Sequence, residues 1–316
     1  MSEVKGEGDF LLGVEHLRVA FRPAGGRPST PVRDVTFSVL RGDRVALVGE
    51  SGCGKSLTSL ALGGLVDRAE ISGAVKGSPR LAYVFQNPMQ SLNPVMRVGR
   101  QVAEAVPAAR GRARDARAAE LFASVGLPAD AVRKYPCELS GGQQQRVMIA
   151  MALARDPELL IADEPTTALD VTTQREVLDL IERVAAERGM AVLFITHNLA
   201  LVARYSRWVN VMYAGEIVES GEVSEVLASP RHPYTRALLA AVPRLDAPRD
   251  APLGDIPGVV PPPTDWPSGC AFHPRCPVAR PECALDGFLP CVKVAPRTPS
   301  ALRGAIFLGD IPLADH

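Results

Sequence analysis

The chain has 316 residues, enough for one large domain or two smaller ones, and its 35 basic and 35 acidic residues give a formal net charge of zero. This balance lacks the basic excess of nucleic-acid-binding proteins, so we expect no nucleic-acid partner. Residues 1–10 are polar and Gly-rich, without the apolar core of a signal peptide, and the chain has no run of 18 apolar residues. We therefore expect a cytoplasmic protein that reaches a membrane only through a partner.

Strands and helices alternate in the predicted secondary structure up to residue 242. Helical patterns cover 55 to about 62, about 96 to 155 and 171–188, and the last ends at Gly189, a residue suited to a helix C-terminus. Such alternation predicts an α/β fold with a mostly parallel sheet. Apolar runs with the length of buried strands lie at 17–21, 35–39, 44–48, 81–85, 159–162 and 191–195.

The composition changes after Val242. Residues 243–267 contain eight prolines, and a segment of this kind is extended and cannot join a central sheet. Four cysteines follow it. We therefore divide the chain into a domain of residues 1–242 and a C-terminal extension of residues 243–316.

Residues 49–56, here called the phosphate loop, fit the pattern G-x-x-x-x-G-K-[ST] between a predicted strand and a predicted helix. In this pattern the glycines let the backbone wrap phosphate groups, Lys55 reaches the β- and γ-phosphates, and Ser56 offers a hydroxyl to Mg²⁺. We expect the whole loop to bind nucleotide: Gly49, Glu50, Ser51, Gly52, Cys53, Gly54, Lys55 and Ser56.

Cys53 is a special case within the phosphate loop. A helix N-terminus lowers the pKa of a thiol and so raises its reactivity, and an adduct on Cys53 would collide with the β-phosphate. We therefore expect MgATP to protect Cys53 from alkylation, and a buried, inert thiol is the alternative.

A second anion site is predicted at residues 139–143, Leu-Ser-Gly-Gly-Gln. Ser140 can cap a helix from Gly141 toward Ala154, and Gly141 and Gly142 keep side chains away from its N-terminus. The free N–H groups and the helix dipole attract phosphate there, and Gln143 belongs to the same motif.

Two carboxylates, Asp163 and Glu164, close the predicted strand 159–162. Buried strands do not end in paired charges for packing reasons, and a metal ion is the expected partner. Asp163 would hold Mg²⁺ through water, while Glu164 points elsewhere and is free to polarise an attacking water. His197 follows the strand 191–195, where a lone histidine is more often structural.

The two phosphate-binding motifs in one chain resemble the ATP-binding cassette (ABC) family, in which each motif faces the other motif of a partner subunit. The resemblance covers about residues 10–240 and implies a P-loop ABC ATPase cassette, with a mixed β-sheet core and an inserted helical subdomain at about 87–155. It also implies further roles: His197 as the switch histidine, Gln86 as the Q-loop glutamine near Mg²⁺ and the membrane-subunit contact, Asp170 in the D-loop 168–170, and Phe21 as the aromatic ring stacked on adenine. A plain core phenylalanine is an equal alternative for Phe21.

Four short segments narrow the resemblance to one subfamily of ABC proteins. Residues 85–94, 232–239, 256–258 and 269–276 look like the ATPase subunits of oligopeptide, dipeptide and nickel importers, although Cys137 stands where a histidine is expected. The resemblance implies ATP hydrolysis that drives peptide import, with ATP held between this cassette and a partner cassette. The implied partners are a sister ABC ATPase or a second copy, two membrane permease subunits and, indirectly, a solute-binding protein. The chain would lie at the cytoplasmic face of the membrane.

Two other functions are weighed against peptide import. Import of nickel or a metal chelate belongs to the same family, and this chain does not choose the solute. A soluble DNA-maintenance ABC ATPase is disfavoured because no heptad run interrupts the cassette.

The extension's four cysteines are separated by gaps of five, six and seven residues. A reducing cytoplasm disfavours disulfides, and the spacing alone leaves zinc, an iron–sulfur cluster and free thiols open. The resemblance implies a four-iron, four-sulfur cluster on Cys270, Cys276, Cys283 and Cys291, with zinc as the alternative. Its expected role is to order the extension. Because the cluster lies in the extension, far in sequence from Lys55 and Glu164, we expect the cluster to take no part in ATP chemistry.

Overall fold

The computed structural model describes residues 10–107, 111–167, 169–242 and 255–285. These residues divide into two compact units. The first unit comprises residues 10–40, 46–77, 196–242 and 255–285, and the second comprises 41–45, 78–107, 111–167 and 169–195.

The described residues form β-strands, α-helices and short 3₁₀ helices. The strands are β1 (Phe10–Phe21), β2 (Ser29–Leu40), β3 (Arg44–Val48), β4 (Glu70–Lys76), β5 (Leu81–Val84), β6 (Leu159–Asp163), β7 (Ala191–Thr196), β8 (Trp208–Tyr213) and β9 (Glu216–Glu222). The α-helices are α1 (Lys55–Leu62), α2 (Pro88–Ser91), α3 (Val98–Ala105), α4 (Arg112–Ser124), α5 (Gly141–Leu153), α6 (Val171–Arg188), α7 (Leu199–Tyr205), α8 (Val223–Ala228) and α9 (Pro233–Ala240). The 3₁₀ helices are Ala129–Arg133, Pro136–Glu138, His273–Arg275 and Pro281–Ala284.

The strands of the first unit run in the order β4-β1-β2-β9-β8. β1 is antiparallel to both β2 and β4, and β8 is antiparallel to β9. β2 and β9 are parallel, paired at Asp34 and Glu216. The expectation of a mostly parallel sheet is therefore wrong for this unit. Strands β1 and β2 are joined by a short loop, as are β8 and β9, and such connections favour antiparallel pairs.

The second unit has the parallel order β5-β6-β7. β6 is buried along its whole length and β7 likewise, which explains their unbroken apolar sequences. Because parallel strands end at the same edge of a sheet, the residues after β5 and at the end of β6 are brought together.

Helices with strong start and stop signals match their predictions. α1 begins at Lys55, and α6 ends before Gly189, whose φ of 60° is left-handed. In the predicted helical stretch 96–155, the described residues form α3, α4 and α5, with two 3₁₀ helices between α4 and α5. No helix in the described ranges is both long and apolar enough to cross a membrane.

Three strands were not predicted. β4 is exposed along its length and so lacks a buried apolar face. β8 and β9 are buried and are joined by a turn at Ala214 and Gly215. The apolar run before this Gly-containing turn is the sequence signal that could have predicted the pair of strands.

The part of the extension that the structure describes, residues 255–285, contains two 3₁₀ helices and neither a strand nor an α-helix. It nevertheless joins the core of the first unit. Phe272 is 1% exposed and packs with Tyr213 and Tyr234.

Candidate functional site

The phosphate loop connects β3 to α1 in the first unit. Gly54 takes φ of 102° at the N-terminus of α1. A Cβ atom there would lie 2.7 Å from the Pro31 carbonyl oxygen and 2.9 Å from the Met212 Cε atom. A residue with a side chain is therefore excluded by both conformation and space. The loop has the tight, glycine-dependent course that the motif predicts.

Lys55 is 6% exposed, and its ammonium group lies across the loop. Its Nζ donates hydrogen bonds to the carbonyl oxygens of Gly49 and Glu50, each at 2.8 Å. The positive charge is thus held by the loop itself, where phosphate groups are predicted to bind. Ser56 follows on the exposed side of α1.

Cys53 is fully buried, and its Sγ lies 3.8 Å from Lys55 Nζ. Burial raises the pKa of the Cys53 thiol, and the nearby Lys55 charge offsets this only in part. The pKa is thus raised where a lowered value was expected, because removal from water outweighs the helix N-terminus, and this favours the alternative of a buried, inert thiol. With its side chain buried, Cys53 presents only main-chain atoms to a ligand.

Glu50 has contacts that the sequence did not reveal. Its carboxylate accepts hydrogen bonds from both terminal nitrogens of Arg275, at 2.8 and 3.0 Å. Its main-chain N–H donates to the Tyr234 hydroxyl at 2.8 Å. The extension therefore contacts the phosphate loop directly, although its sequence gave no sign of this.

In the second unit, Asp163 ends β6 and is 6% exposed. One of its oxygens accepts a hydrogen bond from the Tyr83 hydroxyl at 2.9 Å. Glu164 follows with φ of 43°, a left-handed conformation that is uncommon for a residue with a side chain. The two consecutive carboxylates have different partners, Tyr83 for Asp163 and Gln86 for Glu164.

The Glu164 carboxylate is held by hydrogen bonds. Its Oε2 accepts from Gln86 Nε2 and from the Thr167 hydroxyl, each at 2.8 Å. The structure thus brings together two predicted site residues, Gln86 and Glu164. Gln86 follows the neighbouring parallel strand and so reaches Glu164, a contact that the sequence did not reveal.

The motif at 139–143 caps α5 as predicted. Ser140 Oγ accepts from the Gln143 N–H at 3.3 Å, and Gln143 Oε1 accepts from the Ser140 N–H at 3.1 Å. This is a reciprocal capping box. A Cβ atom on Gly142 would lie 2.5 Å from Thr173 Cγ2, so this glycine also permits α5 to pack closely on α6, a reason the sequence did not give.

Comparisons with known proteins decide the family. A model described as ABC transporter matches residues 32–167, and one described as Oligopeptide/dipeptide transporter, C-terminal region, matches residues 218–283. The Dipeptide transport ATP-binding protein DppD of Escherichia coli (strain K12) is 44% identical over 303 residues, which cover 87% of this chain and 91% of that protein. A Brucella abortus (strain 2308) protein, provisionally named a peptide import ATP-binding protein, is 47% identical over 310 residues, covering 86% of this chain and 91% of that protein. The chain belongs to the ABC transporter ATP-binding proteins.

Solved structures confirm the ABC ATPase cassette fold. An ATP-binding cassette determined as a dimer in a post-hydrolysis state with ADP and Pi has a TM-score of 0.60 and 25% identity, covering 67% of this chain and 99% of that one. CbiO1 from Clostridium perfringens, part of the ABC transporter complex cbiONQ, has a TM-score of 0.61 and 27% identity, and the match covers 70% of this chain and 92% of that one.

The remaining predicted ATP-site residues of the ABC cassette lie at element ends. Asp170 Oδ1 accepts from the N–H groups of Thr172 and Thr173 and caps α6, and hydrogen bonds from Thr173 lower the pKa of its carboxyl. His197 is exposed just after β7, and Phe21 ends β1 with a half-buried ring. Ala168 of the D-loop lies outside the described residues.

Three of the four cysteines of the ABC cassette's extension are described, and Cys291 lies outside the described residues. The Cys270 N–H donates to the Cys283 carbonyl at 2.8 Å. Burial raises the pKa of the Cys270 thiol, and the nearby thiols of Cys283 and Cys276 raise it further. Within the described ranges, no three side chains of Cys, His, Asp or Glu are grouped closely enough to hold a metal ion.

Proposed function

We propose that this ABC subunit hydrolyses ATP to drive the import of oligopeptides or dipeptides through a membrane permease. The observation that carries this proposal is the match of residues 218–283 to the C-terminal region of oligopeptide and dipeptide transporters. The 44% identity to a dipeptide transport ATP-binding protein over 87% of the chain supports the same solute class. Residues 1–242 form the nucleotide-binding domain in this proposal, with a helical subdomain at about 87–155, and residues 243–316 form the extension.

The phosphate loop and Lys55 bind the ATP phosphates in this proposal. The loop's glycine-dependent turn and the buried ammonium support the assignment. Phe21, at the end of β1, stacks on adenine.

Ser56, Gln86 and Asp163 provide a hydroxyl, an amide oxygen and a carboxylate for Mg²⁺. These hard oxygen ligands fit Mg²⁺, and the burial of Asp163 at a strand end suits a charge that has a metal partner. When bound, Mg²⁺ neutralises phosphate charge.

Glu164 polarises the attacking water, and His197 reports the γ-phosphate. The hydrogen bonds from Gln86 and Thr167 fix the Glu164 carboxylate in one orientation, which a base that positions water needs. Asp170 contributes through the D-loop.

A partner cassette completes the site. Ser140, Gly141, Gly142 and Gln143 at the N-terminus of α5 bind ATP held by a sister ATPase or a second copy of this chain. The capping box supports this role, because it fixes the N-terminal turn. Two permease subunits connect the pair to the membrane at its cytoplasmic face, and a solute-binding protein delivers the peptide.

We also propose that Cys270, Cys276, Cys283 and Cys291 hold a four-iron, four-sulfur cluster, with zinc as the alternative. The described side chains are not grouped closely enough to hold a metal ion, and the fourth cysteine lies outside the described residues. Two observations nevertheless support the choice of ligands. The first three cysteines lie in one segment in which Cys270 and Cys283 are joined by a main-chain hydrogen bond, and the nearby thiols of Cys283 and Cys276 add to the raised pKa of the Cys270 thiol, which burial mainly causes. Thiolates suit either metal, and the group would order the extension.

A transport assay tests the peptide function. The chain is purified from gently solubilised membranes with its permease subunits, reconstituted in vesicles with the solute-binding protein, and supplied with a labelled dipeptide and ATP. Uptake is expected for the wild type and for the surface control Lys76→Ala, and no uptake is expected for Lys55→Ala. Uptake of nickel or a nickel chelate without peptide uptake would replace the peptide function with metal import.

A further inference from the structure

We propose that the extension positions the phosphate loop, with Arg275 acting as a positioning residue through Glu50. The proposal rests on the assignment of residues 49–56 to the ATP phosphates. It gives the extension a part in nucleotide binding, in addition to any metal its cysteines hold.

The contact between Arg275 and Glu50 is a two-pronged ion pair. The two terminal guanidinium nitrogens donate to the two carboxylate oxygens at 2.8 and 3.0 Å. The Arg275 side chain is 4% exposed and that of Glu50 is 27% exposed, so water screens the pair only partly. A planar guanidinium facing a carboxylate in this way fixes both orientation and distance. Loss of either partner would leave the other charged group unpaired in a mostly dry environment.

Arg275 is itself held by the extension. Its Nε donates to the Pro257 carbonyl at 2.7 Å, and one terminal nitrogen donates to the Ile256 carbonyl at 3.0 Å. The guanidinium therefore divides its donors between the extension's main chain and the phosphate loop. Since the extension sets where the guanidinium lies, it also sets where the Glu50 carboxylate lies.

An aromatic cluster holds the main chain of Glu50. Phe272 of the extension packs against Tyr213 and Tyr234, with ring centroids 5.2 and 5.4 Å apart. The Tyr234 hydroxyl accepts the hydrogen bond of the Glu50 N–H at 2.8 Å. Glu50 is thus fixed at its side chain by Arg275 and at its main chain by a tyrosine that Phe272 supports.

The fixed position of Glu50 also restrains Lys55, whose ammonium group is proposed to bind phosphate. Its carbonyl oxygen accepts a hydrogen bond from Lys55 Nζ at 2.8 Å. A loop that is already held in its binding conformation loses less conformational freedom when it binds a ligand. Linkage makes the effect reciprocal, so nucleotide must stabilise the extension as much as the extension favours nucleotide.

The test measures nucleotide affinity and amide hydrogen exchange on the full-length chain. The variants are Arg275→Met, Glu50→Gln and the double variant, with Arg280→Met as a matched control because Arg280 is an exposed arginine of the same segment. The dissociation constant of a fluorescent ADP analogue is read for each variant. Exchange in residues 255–285 is read with and without MgADP.

Each single variant is expected to raise the dissociation constant roughly fivefold or more, and the double variant no further than the worse single one. Arg280→Met should stay within about twofold of the wild type. MgADP should slow exchange in residues 255–285 of the wild type and leave that of Arg275→Met unchanged.

Three results would overturn the proposal. In the first, Arg275→Met speeds exchange in residues 255–285 while its dissociation constant stays within about twofold of the wild type, a pattern that describes a structural role alone. Fully additive effects in the double variant would show that Arg275 does not act through Glu50. If Arg275→Met fails to fold, Glu50→Gln decides, and an unchanged dissociation constant refutes the proposal. Failure of the wild type to bind the analogue, or unchanged binding by Lys55→Ala, would instead refute the nucleotide assignment.

Discussion

The side-chain amide of Gln86 donates a hydrogen bond to the Glu164 carboxylate across 2.8 Å. These two residues lie 78 positions apart and were assigned separate tasks from the sequence, one near Mg²⁺ and the other at the attacking water. Because the hydrogen bond joins the two side chains, we expect a shift of Gln86 to change the orientation of the carboxylate. A residue expected to lie near the membrane-subunit contact thus touches the proposed base.

Ser140→Arg is expected to impair ATP hydrolysis in the assembled complex and to leave the nucleotide affinity of the isolated chain unchanged. The reason is that the α5 N-terminus serves the partner's ATP in the proposed arrangement. Ser140→Ala is the control, since it removes the cap alone at a cost of about 1 kcal/mol. Equilibrium binding of MgATP to the isolated chain checks the first variant, and a large loss of affinity there would mean that the motif acts within its own chain.

Cys53 is expected to resist alkylation at neutral pH, because burial both shields the thiol and raises its pKa. The exposed Cys137 provides an internal reference for the labelling rate. Mass spectrometry of iodoacetamide-treated protein should show Cys137 modified well before Cys53, whether or not MgATP is present. Equal rates for the two thiols, with protection of Cys53 by MgATP, would restore the reactive-thiol hypothesis.

Because His232 is buried, we expect the protein to lose stability in acid. The ring is 2% exposed, its Nδ1 accepts from the Tyr234 N–H at 3.1 Å, and burial lowers its pKa from 6.5 to about 4. Below pH 6.5 the unfolded chain takes up a proton that the folded chain refuses, so the free energy of unfolding falls as the pH drops toward about 4. The full loss is on the order of 3 kcal/mol.

Urea unfolding of the wild type and His232→Asn across this pH range measures the effect. Asparagine can accept the same N–H, so the variant should fold and show a shallower decline toward acid. Because both proteins share the same carboxylates, the difference between them isolates the histidine. Parallel declines would show that His232 does not cause the acid sensitivity.

Anaerobically purified protein is expected to contain iron and inorganic sulfide bound by the four cysteines. Cys283→Ser should lose the metal and make the extension more sensitive to limited proteolysis, whereas Cys137→Ser, outside the extension, should retain it. About one zinc and no sulfide per chain would replace the cluster with a zinc site. Equal resistance to proteolysis in Cys283→Ser and the wild type would show that the metal does not order the extension.

Features with a local cause could be predicted from the sequence. The phosphate loop, the cap at Ser140 and the helix end at Gly189 each depend on residues within a few positions, and all three match the structure. The exposed strand β4 lacks an apolar face, so its sequence gives little signal.

Contacts between distant residues could not be predicted. Arg275 and Glu50 are 225 positions apart, and nothing near either residue specifies the other as its partner. The motif around Tyr234 indicated the subfamily but not its hydrogen bond to the loop. The burial of Cys53 likewise depends on the surrounding packing, which overrides the local effect of the helix N-terminus.

The most direct test of ATP hydrolysis by this chain is the turnover of Glu164→Gln in the assembled complex. The exposed Glu187→Gln, at the end of α6, is the control. Loss of the base is expected to lower turnover by roughly 10²–10⁴-fold with ATP binding retained, and the control should match the wild type. Turnover of Glu164→Gln within about tenfold of the wild type would contradict the account.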